Sequence, residues 1–71
     1  MIWQEVTFVY YKDGRKQAWR SGAAVTEGSE DCDRPKSTRK YQKSKTIYTE
    51  FYPDERTADQ AVEDFKEAVT T

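Results

Sequence analysis

The chain has 71 residues and a mass of 8.3 kDa, is 35% hydrophobic and 35% charged, and sets twelve Lys+Arg against thirteen Asp+Glu for a net charge of −1. A domain of this size buries only about 60% of the surface its unfolded chain exposes, which leaves little volume for a deep catalytic cavity. The sequence contains no His, Asn or Leu and a single Cys, which excludes imidazole bases and ligands, an internal disulfide and a structural zinc site.

These terms predict one small domain over residues 1–71, with no catalytic residues, no metal and no cofactor. The opening Met1-Ile2-Trp3-Gln4-Glu5 lacks the basic and apolar regions of a secretion signal. The longest apolar stretch is far below the roughly 20 residues needed to span a bilayer. A cytoplasmic protein with no membrane partner is expected.

Residues Ile2 to Tyr11 are rich in β-branched and aromatic types and end at Lys12-Asp13-Gly14-Arg15. Asp-Gly suits the two positive φ angles of a type I′ turn, so residues 2–25 read as a β-hairpin with a two-residue loop. That register pairs Tyr10 with Gln17, Phe8 with Trp19, Val6 with Ser21 and Ile2 with Val25. One face then carries Ile2, Val6, Phe8, Trp19 and Val25 as core. The other pairs Tyr11 with Lys16, Val9 with Ala18, Thr7 with Arg20 and Trp3 with Ala24, mixing aromatic and basic groups.

Residues 26–44 read as a polar loop, acidic and then basic. Cys32 lies between Asp31 and Asp33, whose charges disfavour a thiolate, so it reads as a loop residue; intermolecular pairing or metal use are the alternatives. Residues 45–52 alternate as a third strand with Ile47 and Phe51 inward and Tyr48 and Tyr52 outward. Pro53 closes that strand, and Thr57 with Gln60 matches a capping box opening a helix over 57–70. Ala58, Ala61, Val62, Phe65, Ala68 and Val69 form its apolar stripe. The expected fold class is α+β: a three-stranded antiparallel β-sheet with one C-terminal amphipathic helix packed on one face. The core it implies, Ile2, Val6, Phe8, Trp19, Val25, Ile47, Phe51, Val62, Phe65 and Val69, is small enough to leave a homodimer through a sheet edge open.

The near-zero net charge conceals segregation. Lys12, Arg15, Lys16 and Arg20 against Asp13 give +3 over 12–20, and Arg34, Lys36, Arg39, Lys40, Lys43 and Lys45 give +6 over 34–45. Residues 27–33 and 54–67 each carry −4. Cations meet phosphates and aromatic faces stack on bases, so nucleic acid, DNA or RNA, is the partner this composition suits. The expected contacts are Lys12, Arg15, Lys16, Arg20, Arg39, Lys40, Lys43 and Lys45, with Trp3, Tyr11 and Tyr48. The plainer reading makes the basic loop merely solvated and the aromatics a second core or a subunit interface.

The strand Val6-Thr7-Phe8-Val9-Tyr10-Tyr11, the turn Lys12-Asp13-Gly14-Arg15-Lys16 and a helix bearing Thr57, Ala61 and Phe65 resemble the arm-type DNA-binding domain of phage tyrosine recombinases. The resemblance implies a three-stranded sheet laid into the major groove, a supporting C-terminal helix, and Lys12, Arg15, Lys16 and Arg20 as DNA contacts. It points to a phage or mobile element. The chain departs from the family in the six-residue separation of Phe51 and Thr57, where a short Gly-Phe-x-Thr link is usual, and in its acidic insert from Glu27 to Asp33.

A competing reading rests on Asp59, Glu63 and Glu67, which share one helix stripe at i, i+4 and i+8. Like charges there oppose one another, and Glu67 opposes the helix dipole. That stripe, or an unpaired sheet edge, would suit a phage-type inhibitor or adaptor that binds a host protein; a solvated helix face is the plainer alternative. Paired carboxylates such as Glu63 with Asp64 or Asp31 with Asp33 have no cleft around them, so no enzymatic activity is expected.

Overall fold

The computed structural model describes residues 2–25 and 35–67. The β-branched and aromatic run at the start forms β1 (Ile2–Tyr11), which turns back into β2 (Lys16–Val25). Two further strands follow, β3 (Thr38–Tyr41) and β4 (Lys45–Tyr52), and then helix α1 (Glu55–Glu67). The sheet is antiparallel in the order β2-β1-β4-β3, so the long first strand is central and α1 packs on one face.

The α+β class and the C-terminal helix match expectation, but the sheet has four strands rather than three. The added strand lies within 26–44, which reads as a loop because Thr38-Arg39-Lys40-Tyr41 is short, polar and exposed throughout. An edge strand with no buried face leaves no hydrophobic alternation, and its existence depends on pairing with β4. Cys32, Asp31, Asp33, Arg34, Ala68 and Val69 lie outside the described residues.

The hairpin register is also corrected. Near the turn Tyr10 pairs with Lys16, Phe8 with Ala18 and Val6 with Arg20, one residue away from the expected pairing. The cause is the loop. Gly14 N–H donates to the Tyr11 carbonyl at 3.0 Å, Tyr11 N–H donates to the Arg15 carbonyl at 2.9 Å, and within the loop only Gly14 has positive φ, at 99°. A type I′ turn needs positive φ at Asp13 as well; the chain instead uses three residues, a turn ending in a left-handed glycine. The Asp13 side chain accepts the Arg15 N–H at 3.0 Å and fixes this conformation.

A bulge between Glu5 and Val6 then restores the expected pairs Trp3 with Ala24 and Ile2 with Val25. Ser21 is the extra residue. Its hydroxyl donates to Glu5 Oε1 at 2.6 Å and accepts from Thr7 Oγ1 at 2.8 Å. Because side chains alternate, the one-residue slip puts Ala18 under the helix and turns Trp19 outward, 45% exposed.

The helix-side core is Val6, Phe8, Ala18, Ala58 and Val62, with Phe65, Ala61, Tyr48 and Tyr52 packed against it. Thus Tyr48 and Tyr52 face the helix, while Ile47 and Phe51 share the opposite face with Val9 and Glu5, their partners on β1. This inverts the expected orientation of that strand. The opposite face is itself apolar, with Trp3, Val9 and Phe51 buried, so the alternation of 45–52 fits either orientation.

The helix cap lies three residues earlier than the capping box suggests. Asp54 is the cap, with its carboxylate accepting the Thr57 N–H at 2.7 Å and the Thr57 hydroxyl at 2.8 Å. Gln60 donates forward to Asp64 at 2.8 Å instead of back to the cap. No described helix is long and apolar enough to cross a membrane.

Candidate nucleic-acid interface

The two tight turns, residues 12–14 and 43–44, lie at one end of the sheet because β1 is paired with both β2 and β4. They are joined directly, with Lys12 N–H donating to the Ser44 carbonyl at 3.0 Å. This bond brings together two basic segments that are some thirty residues apart in sequence. Tyr11, Lys12, Asp13, Arg15, Lys43 and Ser44 line a shallow depression of about 360 Å³ at this end.

Tyr11 is the centre of the cluster. The Arg15 guanidinium lies 4.7 Å and the Lys45 ammonium 5.7 Å from the centre of its ring, both within cation–π range. Its hydroxyl donates to Gln17 Oε1 at 3.0 Å, which fixes the ring's orientation. Asp13, the one acidic residue lining the depression, holds Arg15 through Nε at 2.8 Å. The Arg15 backbone N–H and then its guanidinium keep the Asp13 carboxyl below its ordinary pKa, so Asp13 is ionised at neutral pH. Lys12, Arg15, Lys43 and Lys45 against Asp13 leave a net +3 at this end, with Lys16 beginning β2 beside it.

The β3 edge extends the basic surface on both faces. Arg39 faces the helix side opposite Tyr48, and Lys40 faces the other side opposite Ile47. The Arg39 guanidinium stands 5.2 Å from the Tyr48 ring and 5.9 Å from the Tyr41 ring, and donates to the Tyr41 hydroxyl at 2.9 Å. That bond, with the nearby tyrosines, holds the Arg39 pKa above its ordinary value. Tyr41, absent from the sequence-based set, is 72% exposed; its alternation with Arg39 on a strand was the missing signal.

Two expected residues lie elsewhere. Arg20 is at the far side of the helix-covered face, held by Glu55 at 2.8 Å and Asp59 at 3.2 Å, contacts that raise its pKa. Trp3 is buried, at the end of β1 remote from the turns. On the helix, Asp59 is therefore engaged within the fold, while Glu63 and Glu67 are exposed. Among the described residues no group of His, Cys, Asp and Glu is placed to hold a metal ion.

No protein-family model, no curated protein and no solved structure matches this chain.

Proposed function

We propose that the chain binds nucleic acid through the basic end of its sheet, with Lys12, Arg15, Lys43 and Lys45 meeting phosphates around Tyr11 and with Lys16, Arg39 and Lys40 extending the contact. The observation that carries this reading is the convergence of two separate basic segments on one end, joined by the Lys12–Ser44 hydrogen bond. Cations crowded around one ring repel each other, and a polyanion relieves that repulsion while releasing its own counterions. Aromatic groups among the cations supply faces on which sugars and bases rest. The resemblance to the arm-type domain implies contacts at Lys12, Arg15 and Lys16 as well, and these are the members of its set at or beside this end.

Charge reversal tests the reading. Replacing Lys12→Glu and Lys43→Glu together lowers affinity for a labelled oligonucleotide by at least tenfold at low salt, measured by fluorescence anisotropy. Both positions are exposed, so the fold survives the change, as circular dichroism will verify. Affinity that is indifferent to the double reversal rejects the proposal.

A further inference from the structure

Helix α1 covers only part of the sheet face on which it lies. It packs mainly on β2 and β1, with Phe65 against Phe8 at 4.9 Å between ring centres. Beyond it the same face continues as the half-buried Thr46, Tyr48 and Glu50 of β4 and the exposed Arg39 and Tyr41 of β3. Between the helix and this strip runs an open groove of about 360 Å³ lined by Phe8, Tyr10, Tyr48, Glu50 and Phe65. That volume is at the small end of ligand sites, which are typically about 300–1,000 Å³.

Charge distribution identifies the occupant. Cations flank the groove on both sides, with the Lys16 ammonium 5.6 Å from the Phe65 ring and the Arg39 guanidinium 5.2 Å from the Tyr48 ring. The lining itself is aromatic apart from one carboxylate, Glu50. A phosphate is repelled by that carboxylate, whereas a nucleobase offers a flat π-face to the tyrosines and ring or exocyclic N–H groups to an acidic acceptor. The flanking cations suit the backbone on either side of an inserted base. The groove lies on the helix side of the sheet and the Tyr11 cluster on the opposite side, because Tyr10 and Tyr11 are consecutive on β1, so a strand that reaches both passes around the end of the sheet.

We infer that this groove takes one unpaired nucleobase of a single-stranded nucleic acid, whose adjoining phosphates lie on Lys16 and Arg39. The inference rests on the proposed nucleic-acid binding and names the form of nucleic acid bound. In a duplex the bases are stacked and paired, and entry into the groove requires one to be extruded. The chain therefore discriminates by strandedness: the basic end holds any polyanion, and the groove holds only a strand with free bases.

The experiment titrates the intact chain against three labelled oligonucleotides of equal length: a single strand, its duplex, and a strand with abasic sites throughout its central portion. The single strand binds about tenfold more tightly than the duplex or the abasic strand, the size of effect expected from stacking one base on an aromatic side chain. Tyr10→Ala, at a residue 37% exposed, loses about tenfold on the intact single strand and nothing on the abasic one, and Tyr10→Phe restores the affinity. The abasic comparison uses the unaltered protein and does not depend on how any variant folds. Equal affinity for all three oligonucleotides, or a Tyr10→Ala variant that binds the single strand unchanged, overturns the inference while leaving the basic end as a polyanion site. Failure of every oligonucleotide to bind at low salt overturns both, and leaves an apolar peptide as the groove's remaining occupant.

Discussion

Gly14 shows how much a single residue decides. Its φ of 99° lies in the left-handed region, and a Cβ there would meet nothing within 4 Å, so substitution would strain the backbone without a clash. Gly14→Ala is therefore expected to cost about 1–2 kcal/mol in urea denaturation, with the fold retained. Asp54 acts at the same scale. The Thr57 backbone N–H, and then its hydroxyl, hold the Asp54 carboxyl below its ordinary value of 3.8. A depressed folded-state pKa contributes stability that is present above the unfolded value and lost as pH falls through the folded one. Helix ellipticity should therefore decline as pH falls below about 4. Asp54→Asn keeps an acceptor but cannot titrate, and should flatten that decline; an identical acid limb in the variant would remove Asp54 as its source.

At the scale of elements, the sheet register decides which aromatics support the fold. Phe8 is buried between sheet and helix, whereas Trp19, its expected partner, is on the other face and 45% exposed. Phe8→Ala should cost about 3–5 kcal/mol, enough to threaten so small a fold, and Trp19→Ala about 1 kcal/mol or less. Comparable losses, read from urea midpoints, would mean that Trp19 is packed inward after all.

The ion pairs of Arg20 with Glu55 and Asp59 tie β2 to the start of α1, so this cation serves the fold. Arg20→Ala should leave oligonucleotide affinity within about twofold, in contrast to loss of the turn lysines. The hairpin, the strand at 45–52 and the helix were legible because each follows a period of 2 or 3.6. The three-residue loop was not, because Asp-Gly is compatible with two loop lengths and the choice depends on the Asp13 to Arg15 N–H bond. The edge strand β3 was not, because it buries nothing.

For the whole molecule, the sheet order matters more than the net charge. Placing β1 between β2 and β4 brings two turns from distant segments to one end, where Lys12 and Arg15 of the +3 block meet Lys43 and Lys45 of the +6 block. The blocks themselves could be read in the sequence, as could Lys12, Arg15, Lys43, Lys45 and Tyr11 as candidate contacts. What could not be read was their meeting, nor the departure of Arg20, which follows from the loop that shifts β2 by one residue, nor that of Trp3, which keeps its expected pairing but is buried on the same apolar face as Val9 and Phe51. The aromatic groove was hidden for a related reason: Tyr48 faces the helix, and the face on which it lies depends on pairing with Phe8.

The central claim is that this basic end binds a nucleic-acid backbone. Fluorescence anisotropy of a labelled oligonucleotide, titrated with the chain across a series of salt concentrations, tests it most directly. Four phosphate contacts, by Lys12, Arg15, Lys43 and Lys45, predict that the logarithm of affinity falls against the logarithm of salt with a slope of about −3. The Lys12→Glu, Lys43→Glu variant should give a weaker affinity and a shallower slope. No binding at the lowest salt, or binding with a slope near zero, would contradict the account.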